Sequence, residues 1–116
     1  MISVYGLKDS GKIIVDEEHN WGYQLRFVNT NKYSGKFLVL ENSERGSAHY
    51  HKNKDETFTC IDGKVCVCLN YKERILKPGD SIHIPSDMVH WYYAPENWAV
   101  ILEVATHDDD DDTYKV

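Results

Sequence analysis

The chain has 116 residues, enough for one domain with a single hydrophobic core and no disulfide bonds. Its net charge is -6, but the five consecutive residues Asp108 to Asp112 leave only -1 for the rest, which argues against nucleic-acid binding. No basic start with a long apolar run opens the chain, and no apolar stretch approaches membrane-spanning length. We therefore expect a cytoplasmic protein without a signal peptide that does not bind membranes.

Turn-forming residues recur at short intervals and separate segments of strand length. None of these segments shows the 3.6-residue periodicity of an amphipathic helix. The pattern predicts an all-β sandwich or barrel. The predicted strands cover residues 13–15, 23–27, 36–40, 57–61, 64–69, 81–84 and 98–104.

The clearest hairpin signal is Asp62-Gly63, which predicts a two-residue turn that pairs Ile61 with Lys64. Alternation along the two strands then separates an inner face from an outer face. The inner face carries Glu56, Phe58, Cys60, Val65, Val67 and Leu69.

The three cysteines, Cys60, Cys66 and Cys68, are odd in number and fall within strand patterns. We expect buried free thiols rather than a disulfide framework. The Cys-x-Cys pair has no second pair with which to form a metal site, so strand packing is the preferred interpretation.

Two histidines, His49 and His51, are spaced so that both side chains point to the same side of a strand. Glu56 follows after a polar loop and offers a carboxylate, while His90 follows the Pro85-Ser86-Asp87 turn. Three imidazoles and one carboxylate suit a divalent transition metal such as iron, manganese, nickel, cobalt, copper or zinc, and the ligand set does not choose among these metals.

The segment from Gly46 to Gly63 resembles the first motif of the cupin superfamily, in which H-x-H is followed by a gap, a glutamate and a glycine. The segment from Gly79 to His90 resembles the second cupin motif, with Asp87 in place of the usual glycine of its turn. Aspartate tolerates left-handed backbone angles better than most residues, so the turn is expected to survive. The resemblance implies a double-stranded β-helix, or jelly-roll barrel, with the metal at its mouth.

Further sequence blocks, including Trp21-Gly22-Tyr23, are similar to small single-domain cupins related to mannose-6-phosphate and glucose-6-phosphate isomerases. This similarity implies an aldose-ketose isomerase that acts on a sugar or sugar phosphate through a metal-stabilised enediolate. Glu103 is the candidate base and Tyr92 a second catalytic candidate, although the strand pattern leaves open whether Glu103 faces the cavity. Lys52, Lys54 and Phe58 are candidates for substrate contact.

Two other functions fit the same ligand set. A mononuclear iron dioxygenase would use the open metal positions for oxygen and substrate. A non-catalytic carbohydrate-binding or regulatory module would keep the metal and lack a base.

We expect a cupin domain over residues 1–105 and an acidic C-terminal tail over residues 106–116. The aspartate run predicts a solvated, frayed terminus, although Tyr114 and Lys115 leave open that the tail folds back. Trp91 and Tyr93 alternate with His90 and Tyr92 and should lie on the outer face. Their aromatic surface favours a homodimer.

Overall fold

The computed structural model describes residues 4–116. Its strands form two antiparallel sheets that face each other, which confirms the all-β prediction. Residues 1–3, at the start of the predicted cupin domain, lie outside the described residues, and the division of the chain at residues 105 and 106 stays a prediction. The elements are α1 (Val4–Lys8), β1 (Ile14–His19), β2 (Gly22–Asn29), β3 (Ser34–Leu40), β4 (His49–Tyr50), β5 (Glu56–Gly63), β6 (Val65–Leu69), β7 (Lys72–Leu76), β8 (Ser81–Ile84), β9 (His90–Tyr93), β10 (Ala99–Ala105) and β11 (Tyr114–Lys115).

The larger sheet has six strands in the order β1-β2-β3-β10-β5-β8, and the smaller has five in the order β11-β4-β9-β6-β7. The main core lies between the sheets and includes Phe58 and Ile101 from the larger sheet and Val65 and Val67 from the smaller. The inward faces predicted for β5 and β6 are therefore confirmed. Burial of these apolar side chains is the main favourable contribution to folding.

A second apolar cluster lies on the outer face of the larger sheet. Tyr23, Leu25 and Val39 are buried there, and Val4 and Leu7 of the short helix α1 pack against them. This helix was not predicted, because five residues are too few to show helical periodicity.

The predicted hairpin at Asp62-Gly63 is wrong. β5 pairs with β10 and β8, whereas β6 pairs with β7 and β9, so the chain passes from one sheet to the other at this point. Gly63 has the left-handed backbone that a turn needs, with φ of 71°. A Cβ atom at Gly63 would lie 2.3 Å from the carbonyl oxygen of Trp98. The absence of a side chain at Gly63 thus allows the backbone to pack closely against the segment before β10. β6 instead forms a hairpin with β7 through Asn70 and Tyr71, both at positive φ.

The C-terminal segment is ordered by contacts with the barrel, so the prediction of a frayed, solvated terminus is wrong and the alternative, that the tail folds back, is confirmed. β11 pairs with β4, with Tyr114 opposite Tyr50 and Lys115 opposite His49. Asp108 and Asp112 are both buried, although the three aspartates between them are exposed. The segment therefore covers the strand that carries the first predicted metal ligand.

The predicted free cysteines are confirmed, since Cys60, Cys66 and Cys68 are buried and unbridged. Trp91 and Tyr93 are half-buried, and the guanidinium of Arg45 lies 4.3 Å from the Trp91 ring centroid. The dimer stays a prediction. Among residues 4–116, no helix combines the length and the apolar character needed to cross a membrane.

Candidate metal centre and active site

Neighbouring strands of the smaller sheet bring His49, His51 and His90 together, although His51 and His90 are 39 positions apart in the sequence. β4 pairs with β9 so that His49 lies directly opposite His90. His51 follows β4 and remains on the same side as His49. One ligand atom from each of the three imidazoles lies within 4.8 Å of the other two.

Glu56, the first residue of β5, faces the histidines from the larger sheet. Its Oε1 lies 3.3 Å from Nε2 of His90, and its Oε2 lies 3.5 Å from Nε2 of His51. Glu56 is 2% exposed, so its carboxylate has almost no contact with solvent. The two sheets therefore bring all four predicted ligands to one place.

A backbone carbonyl fixes the orientation of each histidine ring. Nδ1 of His49 lies 2.7 Å from the Ser47 oxygen, and Nδ1 of His90 lies 2.9 Å from the Met88 oxygen. Nδ1 of His51 lies 2.8 Å from the oxygen of Asp112. A carbonyl oxygen only accepts, so each Nδ1 must carry a proton, and Nε2 is the nitrogen that offers a lone pair whenever the ring is neutral. This pattern of outer hydrogen bonds is typical of histidines that bind metals.

Two buried polar atoms in this group have no hydrogen-bond partner among the described residues: Nε2 of His90 and Oε2 of Glu56. Each has a charged or polar neighbour within about 3.5 Å, but not in hydrogen-bond geometry. Orphaned buried acceptors are unfavourable, and a cation between them would satisfy both. The donors present thus fit a divalent transition metal.

The electrostatic environment keeps the donors in the protonation states that bind a metal. Burial and the nearby His90 lower the pKa of His49 to about 4. Burial also lowers the pKa of His51, with a further contribution from the charge of Lys54. Burial alone would raise the pKa of Glu56, but His90 and Lys54 hold it below the usual range. At neutral pH His49, His51 and Glu56 provide two neutral imidazoles and a carboxylate.

Asp87 occupies the turn that delivers His90 to the site. Its φ of 69° is left-handed, as expected where the cupin motif has glycine. Its backbone N–H donates to the carbonyl oxygen of His51 at 2.6 Å. The turn thus connects the segment before His90 to the histidines of the first motif.

A cavity of about 380 Å³ opens beside the histidines and extends between the two sheets. Glu103 of β10 lines it and is 3% exposed, on the same face of the strand as the buried Ile101. The question that the strand pattern left open is thereby answered, because the Glu103 carboxylate faces the cavity. Tyr92 and Phe58 line the same cavity, with ring centroids 5.5 Å apart.

The two candidate lysines differ in position. Lys54 is buried in the cavity wall, with Nζ 3.3 Å from a carboxylate oxygen of Glu56 and 3.3 Å from one of Glu103. Lys52 is exposed, and its ammonium lies 4.5 Å from the centroid of the Tyr114 ring, apart from the cavity lining. Lys54 therefore lies at the site and Lys52 lies outside the cavity lining, while the substrate contacts stay predictions.

Two C-terminal aspartates contribute to this site, although no sequence pattern indicated it. Asp112 accepts hydrogen bonds from the backbone N–H groups of Lys52, Asn53 and Lys54 through its carboxylate. Asp108 contacts the ammonium groups of Lys36 and Lys54 at 3.2 and 3.1 Å. Five identical residues in a row offer no local signal that separates these two from their exposed neighbours.

The Cupin domain family model matches residues 36–104. The D-lyxose/D-mannose isomerase of Thermosediminibacter oceani is 30% identical, with 79% of this chain and 66% of the isomerase covered. The quercetin 2,3-dioxygenase of Bacillus subtilis is 31% identical, with 60% of this chain and 22% of the dioxygenase covered. The chain thus spans just under two thirds of the first relative's length and less than a quarter of the second's.

The fold has a close counterpart among solved structures. The structure of KdgF from a Halomonas species superposes with a TM-score of 0.78 at 19% identity, covering 88% of this chain and 93% of that protein. This likeness confirms the predicted jelly-roll architecture. Together with the family match over more than half of the residues, it shows that the chain belongs to the cupin family.

Proposed function

We propose that the chain is a metal-dependent aldose-ketose isomerase that acts on unphosphorylated sugars. The observation that carries this proposal is the placement of Glu103, a buried carboxylate in the cavity that His49 and His51 also line. The 30% identity to a D-lyxose/D-mannose isomerase supports the same reaction type.

The three histidines and Glu56 would hold the metal. When bound, such a metal supplies Lewis acidity that polarises a carbonyl and an adjacent hydroxyl of an open-chain sugar. The protein residues around it must then bind the sugar and move its protons.

Glu103 is the proposed base. Burial and the negative charge of Glu56 raise its pKa, against the opposing attraction of Lys36 and Lys54. Glu56, in contrast, has a lowered pKa. Two neighbouring carboxylates whose environments push their pKa values apart are typical of sites where one binds or stabilises charge and the other transfers a proton.

The reaction needs one carbon-bound proton to move between adjacent carbons. The Glu103 carboxylate takes the proton from C2 of the open-chain aldose and returns it to C1, so that the enzyme ends the cycle unchanged. A second proton passes from the C2 hydroxyl to the oxygen on C1. The Tyr92 hydroxyl is the proposed carrier of this proton, because its side chain lines the cavity beside the histidines.

The charge around the cavity favours a neutral sugar. Carboxylates of Asp16, Glu18, Asp109 and Asp110 line its walls and opening in addition to the buried acids. A sugar phosphate would bring two negative charges into this acidic surrounding, whereas a free sugar needs only hydrogen bonds.

The test is anaerobic turnover of D-lyxose and D-mannose by protein loaded with Mn²⁺ or Co²⁺, followed by proton NMR in D₂O. We expect ketose formation and exchange of one carbon-bound proton with solvent. Glu103→Gln should lower kcat by at least about 100-fold while the metal content is unchanged, since a positioned acid-base group contributes about 10² to 10⁴ in rate. Glu96→Gln is the matched control, because this exposed glutamate pairs with Lys64 outside the cavity. Failure to convert any free sugar, or full activity of Glu103→Gln, would refute the proposal.

A mononuclear iron dioxygenase is the second candidate, supported by the 31% identity to a quercetin 2,3-dioxygenase over 60% of this chain. Oxygen consumption by iron-loaded protein with a flavonol, together with no turnover under anaerobic conditions, would favour this candidate. A non-catalytic carbohydrate-binding module would bind sugar under both conditions and convert none.

A further inference from the structure

Three cations surround the carboxylate of Asp108 where the C-terminal segment meets the barrel. Lys54 Nζ lies 3.1 Å from Oδ1, Lys36 Nζ lies 3.2 Å from Oδ2, and Arg26 Nη1 lies 3.5 Å from Oδ2. The side chains of Lys36, Lys54 and Asp108 are all less than one tenth exposed. We call Arg26, Lys36 and Lys54 the three-cation socket.

The backbone of Asp108 is held independently of its carboxylate. Its N–H donates to Asn29 Oδ1 at 3.0 Å, and its carbonyl oxygen accepts from Asn29 Nδ2 at 2.9 Å. Next to it, His107 Nδ1 lies 2.8 Å from the carbonyl oxygen of Thr30. The carboxylate is thus placed in the socket by contacts that do not depend on charge.

Other carboxylates compensate only part of the positive charge of the three-cation socket. Glu103 contacts Lys54 at 3.3 Å and Lys36 at 3.8 Å, and Glu56 contacts Lys54 at 3.3 Å. With Asp108 in place the three cations face three carboxylates. Without it, the carboxylate contact left to the buried Lys36 would be the 3.8 Å one with Glu103, and Arg26, whose side chain is 26% exposed, would lose its contact with Asp108. A buried cation with a weakened partner is unfavourable.

We propose that Asp108 is an internal anion that fills the three-cation socket in the cavity wall and thereby excludes phosphate and carboxylate groups of ligands. Lys36, Lys54 and Asp108 all line the cavity beside the histidines, so a phosphoryl group that enters it meets lysines already paired. Asp108 is in this sense a specificity-determining residue. Only its consequence for sugar selection rests on the proposed function; the socket itself does not.

Chemical rescue tests the socket without any measurement of turnover. Asp108→Ala removes the carboxylate and leaves room for a small anion, whereas Asp111→Ala removes the same charge from an exposed position in the same aspartate run. Thermal unfolding is followed while potassium formate replaces potassium chloride at constant ionic strength. We expect Asp108→Ala to unfold at a lower temperature than the wild type in chloride and to recover about 5 °C, with a saturable dependence on formate. The wild type and Asp111→Ala should show no such recovery.

A merely structural ion pair gives a different result: Asp108→Ala is destabilised but formate does not rescue it, and this outcome would overturn the proposal. Equal rescue of Asp111→Ala would overturn it as well. If Asp108→Ala does not fold in either salt, Asp108→Asn decides by calorimetric titration with inorganic phosphate. At least tenfold tighter phosphate binding than in the wild type supports the socket, and unchanged binding overturns it.

Discussion

Substitution of Asp112 tests the role of the C-terminal segment most sharply. The Asp112 carboxylate accepts from the Lys52 N–H at 2.9 Å, from the Asn53 N–H at 3.1 Å and from the Lys54 N–H at 3.0 Å. Its backbone oxygen also accepts from Nδ1 of His51 at 2.8 Å. The residue thus fixes the loop between the first histidines and Glu56.

Asp112→Asn replaces one acceptor oxygen with an NH₂ group that donates. At least one of the outer N–H groups, from Lys52 or Lys54, then loses its partner, and the remaining bonds lose the assistance of charge. Hydrogen bonds to charged groups contribute about 1.5 to 3 kcal/mol each, so the free energy of unfolding should fall by about 2 to 3 kcal/mol. For a domain of this size, this loss corresponds to a Tm decrease of about 8 to 12 °C.

The assay is thermal and urea unfolding of Asp112→Asn beside Asp111→Asn, which makes the same charge change at an exposed position. Burial by itself would raise the pKa of Asp112, but the three backbone N–H groups hold it below the ordinary value. The stabilisation is therefore complete above about pH 4 and is lost as the pH falls through the lower pKa of the folded state. The wild type and Asp112→Asn should differ at pH 7 and converge in acid. A Tm within about 2 °C of the wild type at pH 7, or an equal loss in Asp111→Asn, would show that the Asp112 hydrogen bonds do not stabilise the loop.

Three further substitutions have defined outcomes. In urea unfolding, Gly63→Ala should lower the free energy of unfolding more than Gly79→Ala, because both glycines have positive φ but of the two only a Cβ at Gly63 would meet backbone, at 2.3 Å. Gly79→Ala should cost about 1 to 2 kcal/mol. Equal losses would show that close packing at Gly63 does not matter. Phe58→Ala should lower the free energy of unfolding by about 3 to 5 kcal/mol, since Phe58 lies between the two sheets and is only 1% exposed. A loss under about 1 kcal/mol would mean that the core is packed differently. His49→Ala should abolish metal retention in elemental analysis. The control His83→Ala removes an exposed histidine paired with Asp55 and should retain the ion. One ion per chain in purified His49→Ala would count against the ligand assignment.

Local patterns predicted the parts of the fold that depend on local geometry. Side chains alternate between the two faces of a strand, so the inward-facing residues of β5 and β6 follow from the sequence once one residue of each strand is assigned to the inner face. The same rule put His49 and His51 on one side. The motif spacing predicted that Glu56 and His90 meet the first two histidines, and the structure brings these side chains together, although metal binding stays a prediction.

Strand pairing was harder to predict, because it depends on partners far away in the sequence. Asp62-Gly63 has the residues of a tight turn, but β5 finds its partners in β10 and β8, which begin after residue 80. Lys36 opens a predicted strand, yet its contact with Asp108 joins residues 72 positions apart. Turn-forming residues indicate the local backbone conformation, but they do not determine which sheet the next strand joins.

The acidic run shows the same limit for side chains. Composition predicts that consecutive aspartates are solvated, and this holds for Asp109, Asp110 and Asp111. Asp108 and Asp112 are buried because cations and backbone N–H groups of other segments surround them. Those partners exist only after the barrel has formed, so the separation within the run could not be predicted.

His49, His51, His90 and Glu56 are proposed to bind one metal ion together. Anomalous diffraction from crystals grown with Co²⁺ or Mn²⁺ measures this directly. We expect one anomalous peak per chain, about 2.0 to 2.3 Å from a nitrogen of each histidine and from a carboxylate oxygen of Glu56. An ion bound elsewhere, or no peak between these side chains, would show that the four residues do not form a metal site.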